Sequence, residues 1–286
     1  MKIGVRVHDF GKSNPEVLAT KAKECGFDGV QLVLNKAIEG QTGLPGTLNK
    51  EMANEIQRVF SSKGLEIFMM GAYFNPVHSN KELVKTNIAK FKEHLLYLND
   101  FNGHFVGSET GSFNDDKWTY NPLNRTEEAF LEVKRVFKDL ADYAKVVNGN
   151  IALEGAYGHC MFEPKALKRL VNEIDNGHVF YTVDIYNYLD ISNYQNYKNI
   201  FEEALDLFNG KIVIFHLKDF VVVDNSLKQC AIGKGLIDYE YLLTRIQETN
   251  PDAYCIFEGS KPEDMEESLS FVKNIIDRGL LKWNYK

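Results

Sequence analysis

The chain has only four cysteines, Cys25, Cys160, Cys230 and Cys255, and no two fall at a Cys-x-x-Cys spacing. Scattered thiols exclude a disulfide framework and a cysteine-type zinc site, and they suit a reducing compartment. Long apolar runs are missing too, since none approaches the roughly 20 residues that cross a bilayer. No charged-then-apolar leader precedes the strand-like alternation of residues 1–10, MKIGVRVHDF. A cytoplasmic protein with no membrane partner is the expectation. Positive charge is in deficit, with 33 Lys and Arg against 40 Asp and Glu for a formal charge of −7. Without a long Lys/Arg cluster, a nucleic-acid partner is not expected, because phosphate contacts need a basic face. A small anion needs only a local Lys or Arg. No P-loop or dinucleotide fingerprint occurs, and the Gly-x-Gly of Gly233 and Gly235 is too short for a nucleotide loop.

What the 286 residues do contain is an alternation of short apolar runs and amphipathic stretches, with 44% apolar residues to build a large core. Strands are expected at 2–7, 29–34, 65–74 and 104–111, then in runs ending at Glu154, Asp184, His216 and Glu258. Helices alternate with them. Asn14-Pro15, Asn49, Thr126, Glu163-Pro164 and 260–263 read as starts, and Gly26, Gly64 and Gly279 as stops. Eight strand–helix units at roughly 30-residue intervals favour a closed parallel (β/α)8 TIM barrel, one domain spanning 1–286. The longest loops follow strands, the face on which such a barrel builds its site.

Four runs end alike: NIALEGAY in Glu154, VFYTVDIYN in Asp184, KIVIFHLKDF in His216, and AYCIFEGS in Glu258. A single acidic residue at a strand end is usually a helix cap or an ion-pair partner. Four ligand-bearing ends on successive strands read instead as one constellation at the barrel mouth. Three carboxylates and one imidazole suit Mn²⁺, Mg²⁺, Co²⁺ or Zn²⁺. Without a cation they would repel one another.

These residues carry a resemblance. Together with GFDGVQL at 26–32 and GKGLID at 233–238, they are similar to the xylose isomerase-like barrel superfamily of sugar phosphate isomerases and epimerases, which includes the ketose 3-epimerases and apurinic endonucleases. The match spans nearly the whole chain. It implies one divalent metal ion on Glu154, Asp184, His216 and Glu258, and Glu154 with Glu258 as the proton-exchanging pair. Gln31 stands where the family often has an acidic residue. Asn187 replaces a histidine three residues after Asp184, and Lys218 stands near where the epimerases carry an arginine. Leu227 and Gln229 occupy the places of the endonuclease's third-zinc pair, and the histidines expected on strands three and four are absent. A trinuclear zinc cluster of the endonuclease kind is therefore excluded. Dimers and tetramers are common in the family, so a homo-oligomer is an expectation the resemblance carries, though no residue here shows it.

The expected activity is a metal-dependent isomerase or epimerase acting on a sugar or polyol through a cis-enediolate. A keto-inositol dehydratase-type lyase and a metal-free sugar-binding barrel are the competitors. Candidate substrate contacts are His8, Tyr73, Glu109, His159, Asn187 and Lys218. For each, an ordinary capping, packing or ion-pair role competes. Phe10, Tyr73, Phe74, Trp118 and Tyr186 are candidate walls against sugar C–H faces, no more than two of them in earnest. His78, His94, His104 and His178 are expected at the surface or in loops.

Overall fold

The computed structural model describes residues 1–283. In chain order it contains β1 (Lys2–Arg6), α1 (Pro15–Cys25), β2 (Gly29–Leu32), α2 (Leu34–Ala37), α3 (Lys50–Ser62), β3 (Glu66–Gly71), α4 (Lys81–Tyr97), β4 (Gly103–Glu109) and α5 (Glu127–Val147). There follow β5 (Ile151–Glu154), α6 (Pro164–Ile174), β6 (Val179–Asp184), α7 (Tyr197–Leu207), β7 (Ile212–Leu217), β8 (Asp219–Val223), β9 (Ser226–Cys230), α8 (Tyr239–Thr249), β10 (Tyr254–Phe257) and α9 (Met265–Trp283). Strands β1–β7 and β10 close into a parallel barrel, so the protein is a (β/α)8 barrel as expected. No helix among the described residues is long and apolar enough to cross a membrane.

Local chemistry sets the helix starts. The side chains of Asn14, Asn49, Asn80, Thr126 and Asp238 each accept a hydrogen bond from a first-turn backbone N–H, a cap contributing about 1 kcal/mol apiece. Gly26 ends α1 in the left-handed region, at φ 93°. Gly279, read from sequence as a stop, is not one, and α9 continues through it. Its backbone is not left-handed, and a glycine whose φ stays helical only weakens a helix.

Between the helices and the strands lies the main core, and a second, smaller cluster of Phe68, Met69, Ala152, Ile214 and Ile256 fills the barrel itself. Phe68 needs the space that two glycines leave. A Cβ on Gly29 would lie 2.4 Å from its ring, and one on Gly4 2.7 Å. Side chains alternate along a strand, so residues two positions beyond Ala152, Ile214 and Ile256 also point to the barrel axis, one layer higher. Those residues are Glu154, His216 and Glu258. Across the ladder, Asp184 pairs with His216.

Two elements were not foreseen, the short helix α2 and a hairpin. After β7 the chain makes an antiparallel hairpin, β8–β9, where a plain loop was expected. The Asp219 carboxylate, fully buried, anchors its base by accepting from the backbone N–H of Phe220, Gly233, Gly235 and Ile237 at 2.9–3.1 Å.

Candidate metal centre

Ligand atoms of Glu154, Asp184, His216 and Glu258 all lie within 4.8 Å of one another at the carboxyl end of the barrel. His216 Nδ1 is 3.1 Å from Glu154 Oε2 and 2.8 Å from Glu258 Oε2. It makes an aligned hydrogen bond to neither. Asp184 Oδ2 and Glu258 Oε2 are also buried without a hydrogen bond. Buried polar atoms are normally hydrogen-bonded, and these three have only charged neighbours, Lys218 and one another, an arrangement a cation would complete. Two or three carboxylates with one imidazole fit a hard or borderline divalent ion, so this cluster could hold one.

Around these four stands a set of supporting groups. Gln31, buried completely, accepts from His216 Nε2 at 2.9 Å and donates to the Tyr73 hydroxyl at 2.8 Å. Asn187 donates to Glu154 Oε1 at 2.6 Å, and its own backbone N–H reaches Asp184 Oδ1 at 3.2 Å. Lys218, two residues beyond His216 and therefore also directed inward, puts its ammonium 2.9 Å from Asp184 Oδ2, 3.4 Å from Glu258 Oε1 and 3.1 Å from Asn187 Oδ1. Arg6 Nη1 is 2.7 Å from Glu258 Oε1. Asp9 clamps Arg6 and also accepts from the backbone of Gly259 and Ser260, fastening the end of β10 to β1.

The charges here shift one another strongly. Burial opposes a charged His216, but Glu258 and Glu154 outweigh it and hold the imidazole up at about 10. Burial likewise opposes the Lys218 ammonium, and Asp184, Glu258 and Glu154 more than compensate. Burial lifts Asp184 to about 6 against the pull of Lys218. Glu258 goes the other way: Lys218, His216 and Arg6 overcome its burial and hold it well below the carboxylate range. Glu109, across the ladder from Glu154, is pushed well up by burial and by the charges of Glu154 and Glu258. A divalent ion taking the central place would displace the His216 proton, as ligation generally does.

Two cavities open above this layer and share Glu109 and Trp118 in their walls. One, about 570 Å³, runs past His159, Tyr186 and Asn187 to the tip of the β8–β9 hairpin. The other, about 380 Å³, runs past Glu258, Arg6, His8 and Tyr73 toward α2 and α4. All the candidate contacts except Lys218 therefore line one cavity or the other. Lys218 is 8% exposed and ion-paired, and Asn187 spends its amide on Glu154 and Lys218. His8 Nδ1 and His159 Nδ1 are buried without partners. Burial depresses the two rings to about 3 and about 4 respectively, which leaves them neutral.

Of the aromatic candidates, Tyr73, Trp118 and Tyr186 line the cavities. Phe74 does not; it packs in the core against Phe91 and Phe137. His94 is a core residue of α4, 3% exposed, where a surface position was expected. Sequence reading missed Arg6, and it noted Gln31 without giving it a task. The signal for both was alternation: Arg6 lies two residues beyond Gly4, and Gln31 two beyond Gly29, on the inward face.

Comparison with known proteins follows the same lines. The profile of the xylose isomerase-like TIM barrel family matches residues 19–275, and the chain belongs to that family. No curated protein matches it in sequence. Solved structures share the fold. A D-tagatose 3-epimerase-like protein is 20% identical with a TM-score of 0.77, covering 99% of both chains. A xylose isomerase-like TIM barrel protein from Mycobacterium smegmatis, in complex with magnesium, is 14% identical with a TM-score of 0.75, covering 98% of this chain and 97% of its own. A probable 3-DHS dehydratase involved in petrobactin synthesis, from Bacillus anthracis, is 14% identical with a TM-score of 0.75, covering 96% and 99%.

Proposed function

We propose that the protein is a metal-dependent isomerase or epimerase of a sugar or sugar phosphate, moving a proton through a cis-enediolate. The observation that carries this reading is the convergence of ligand atoms from Glu154, Asp184, His216 and Glu258, three of them without a hydrogen bond, beneath two cavities large enough for a sugar. Those four residues would hold Mn²⁺, Mg²⁺, Co²⁺ or Zn²⁺. A divalent cation bound there would polarise a carbonyl and a neighbouring hydroxyl and so acidify the C–H between them. Glu154 and Glu258 come from β5 and from the end of β10, well separated around the barrel, so they can address opposite faces of a substrate carbon. One removes the proton and the other returns one.

The two are not equivalent. Glu258 is held by Arg6 and Lys218 as a carboxylate, whereas Glu154 has the neutral amide of Asn187. Lys218 places an ammonium beside Asp184 and Glu258, where it can meet negative charge growing on a substrate oxygen. Tyr73, Trp118 and Tyr186 line the cavities and would pack against sugar C–H groups. His8, Glu109 and His159 would contact hydroxyls. Sugar-epimerase names among proteins of the same fold support the substrate class.

The test is exchange of substrate C–H for deuterium in D₂O, read by NMR over a panel of ketoses, keto-inositols and their phosphates, with Mn²⁺, Co²⁺ and Mg²⁺ supplied separately. Exchange with formation of an epimer or isomer is expected. An absorbing enone as product would instead make the protein a dehydratase. No exchange with any compound would make it a binding barrel.

A further inference from the structure

The second cavity holds two lysines whose ammonium groups pair with no residue among those described. Lys90 is 8% exposed, so its side chain is more than nine-tenths buried, yet its ammonium has no hydrogen-bond, ion-pair or ring partner among the described residues. Lys36, at the end of α2, lines the same cavity and is likewise unpartnered. The two sense each other: burial and the neighbouring Lys36 charge both press the Lys90 ammonium below its ordinary value, and no carboxylate counters them. The carboxylates of this cavity are committed or remote. Glu258 is bound to Arg6, Asp116 is exposed beside His78, and Glu109, the third, stands across the ladder from Glu154 in the four-residue layer. The Lys90 stem is buried while its ammonium opens to the cavity, and in a chain of net charge −7 the local excess of positive charge is conspicuous.

We propose that Lys36 and Lys90 form the binding site for the phosphate group of a sugar phosphate. Two ammonium groups match the roughly −1.5 to −2 charge of a phosphate monoester at neutral pH, and a carboxylate would balance only one of them. His8, whose buried Nδ1 has no partner, adds a neutral imidazole to the wall. Because Glu258 and Tyr73 line the same cavity, a ligand anchored at the lysines would extend its carbons toward the four-residue cluster. This deepens the isomerase reading and rests on it for the sugar portion. The phosphate site itself stands on the lysines.

Isothermal titration of inorganic phosphate into the full chain at constant Mg²⁺ reads the site without turnover. Saturable binding at one phosphate per chain is expected. Lys90→Met and Lys36→Gln should each weaken it about tenfold or more, and the double variant should abolish it. Lys85→Gln, on the same helix but exposed and paired with Glu82, should leave it unchanged. Acetate should compete at least about tenfold less well than phosphate. Phosphate that fails to saturate, or binds both variants as well as the parent, overturns the proposal, for a lysine that merely extends its stem through the core would not move the affinity. Equal competition by acetate overturns the assignment to phosphate in favour of a sugar acid. Lys36 is exposed, so its variant remains informative even if Lys90→Met folds poorly. A failed phosphate titration leaves the deuterium-exchange test standing, and failed exchange leaves phosphate binding standing.

Discussion

Gln31 Oε1 accepts from His216 Nε2, which leaves Nδ1, between Glu154 and Glu258, as the nitrogen that would give up its proton to a bound cation. An amide buried completely in the barrel thus sets the tautomer of a candidate ligand. Replacing it by Gln31→Leu is expected to weaken divalent-metal affinity about 10- to 100-fold, with Gln31→Glu retaining most of it, as measured by Mn²⁺ titration. For the proposed proton-transfer pair, Glu154→Gln and Glu258→Gln should each lower turnover by about 10²- to 10⁴-fold while circular dichroism stays native. Near-normal activity in either would defeat the two-carboxylate mechanism. At this scale the sequence disclosed residues that end apolar runs, because a polar side chain there is conspicuous. It concealed Arg6 and Gln31, whose importance depends on which neighbour the closed barrel brings opposite them.

The β8–β9 hairpin is an element that composition did not reveal. Val221, Val222 and Val223 supply β-propensity, but the turn at Asp224 and Asn225 uses two left-handed non-glycine residues, and without Asn-Gly or Asp-Gly the turn signal was weak. The hairpin reaches cavity-lining positions through Asn225, Ser226 and Leu227, and it depends on the Asp219 anchor. Gly235 sits so close to that carboxylate that a Cβ would lie 2.1 Å from Asp219 Oδ1. Gly235→Ala should therefore destabilise the protein by about 2 kcal/mol or more through forced displacement of the anchor, read as a lowered denaturation midpoint. Strand and helix positions fared better at this scale, since caps such as Asn14 and Asn49 and stops such as Gly26 act within a few residues of chain. Gly279 misled because a glycine marks a helix end only where the backbone turns left-handed.

At the scale of the whole molecule, the eightfold strand–helix alternation was legible because it repeats, and closure places the four strand ends around one axis. Closure also buries titratable groups that no local pattern exposes. His94 is held down to about 4 by burial, with the Lys90 charge adding to it, against an ordinary value of 6.5. The unfolded chain therefore takes up this proton before the folded one. Stability is fully present above pH 6.5 and falls as pH drops through 6.5 to about 4, by up to about 3 kcal/mol for this residue. A His94→Gln variant should show a shallower loss over that window in urea denaturation, and an unchanged slope would remove His94 from the account.

The central claim is that side chains from four separate strands share one ion, and Mn²⁺ titration of chelator-treated protein, with bound metal counted by elemental analysis, tests it most directly. The account predicts one Mn²⁺ per chain, reduced to a small fraction in His216→Ala with the barrel still folded. Metal content that is nil in the parent, or the same in His216→Ala as in the parent, would contradict it.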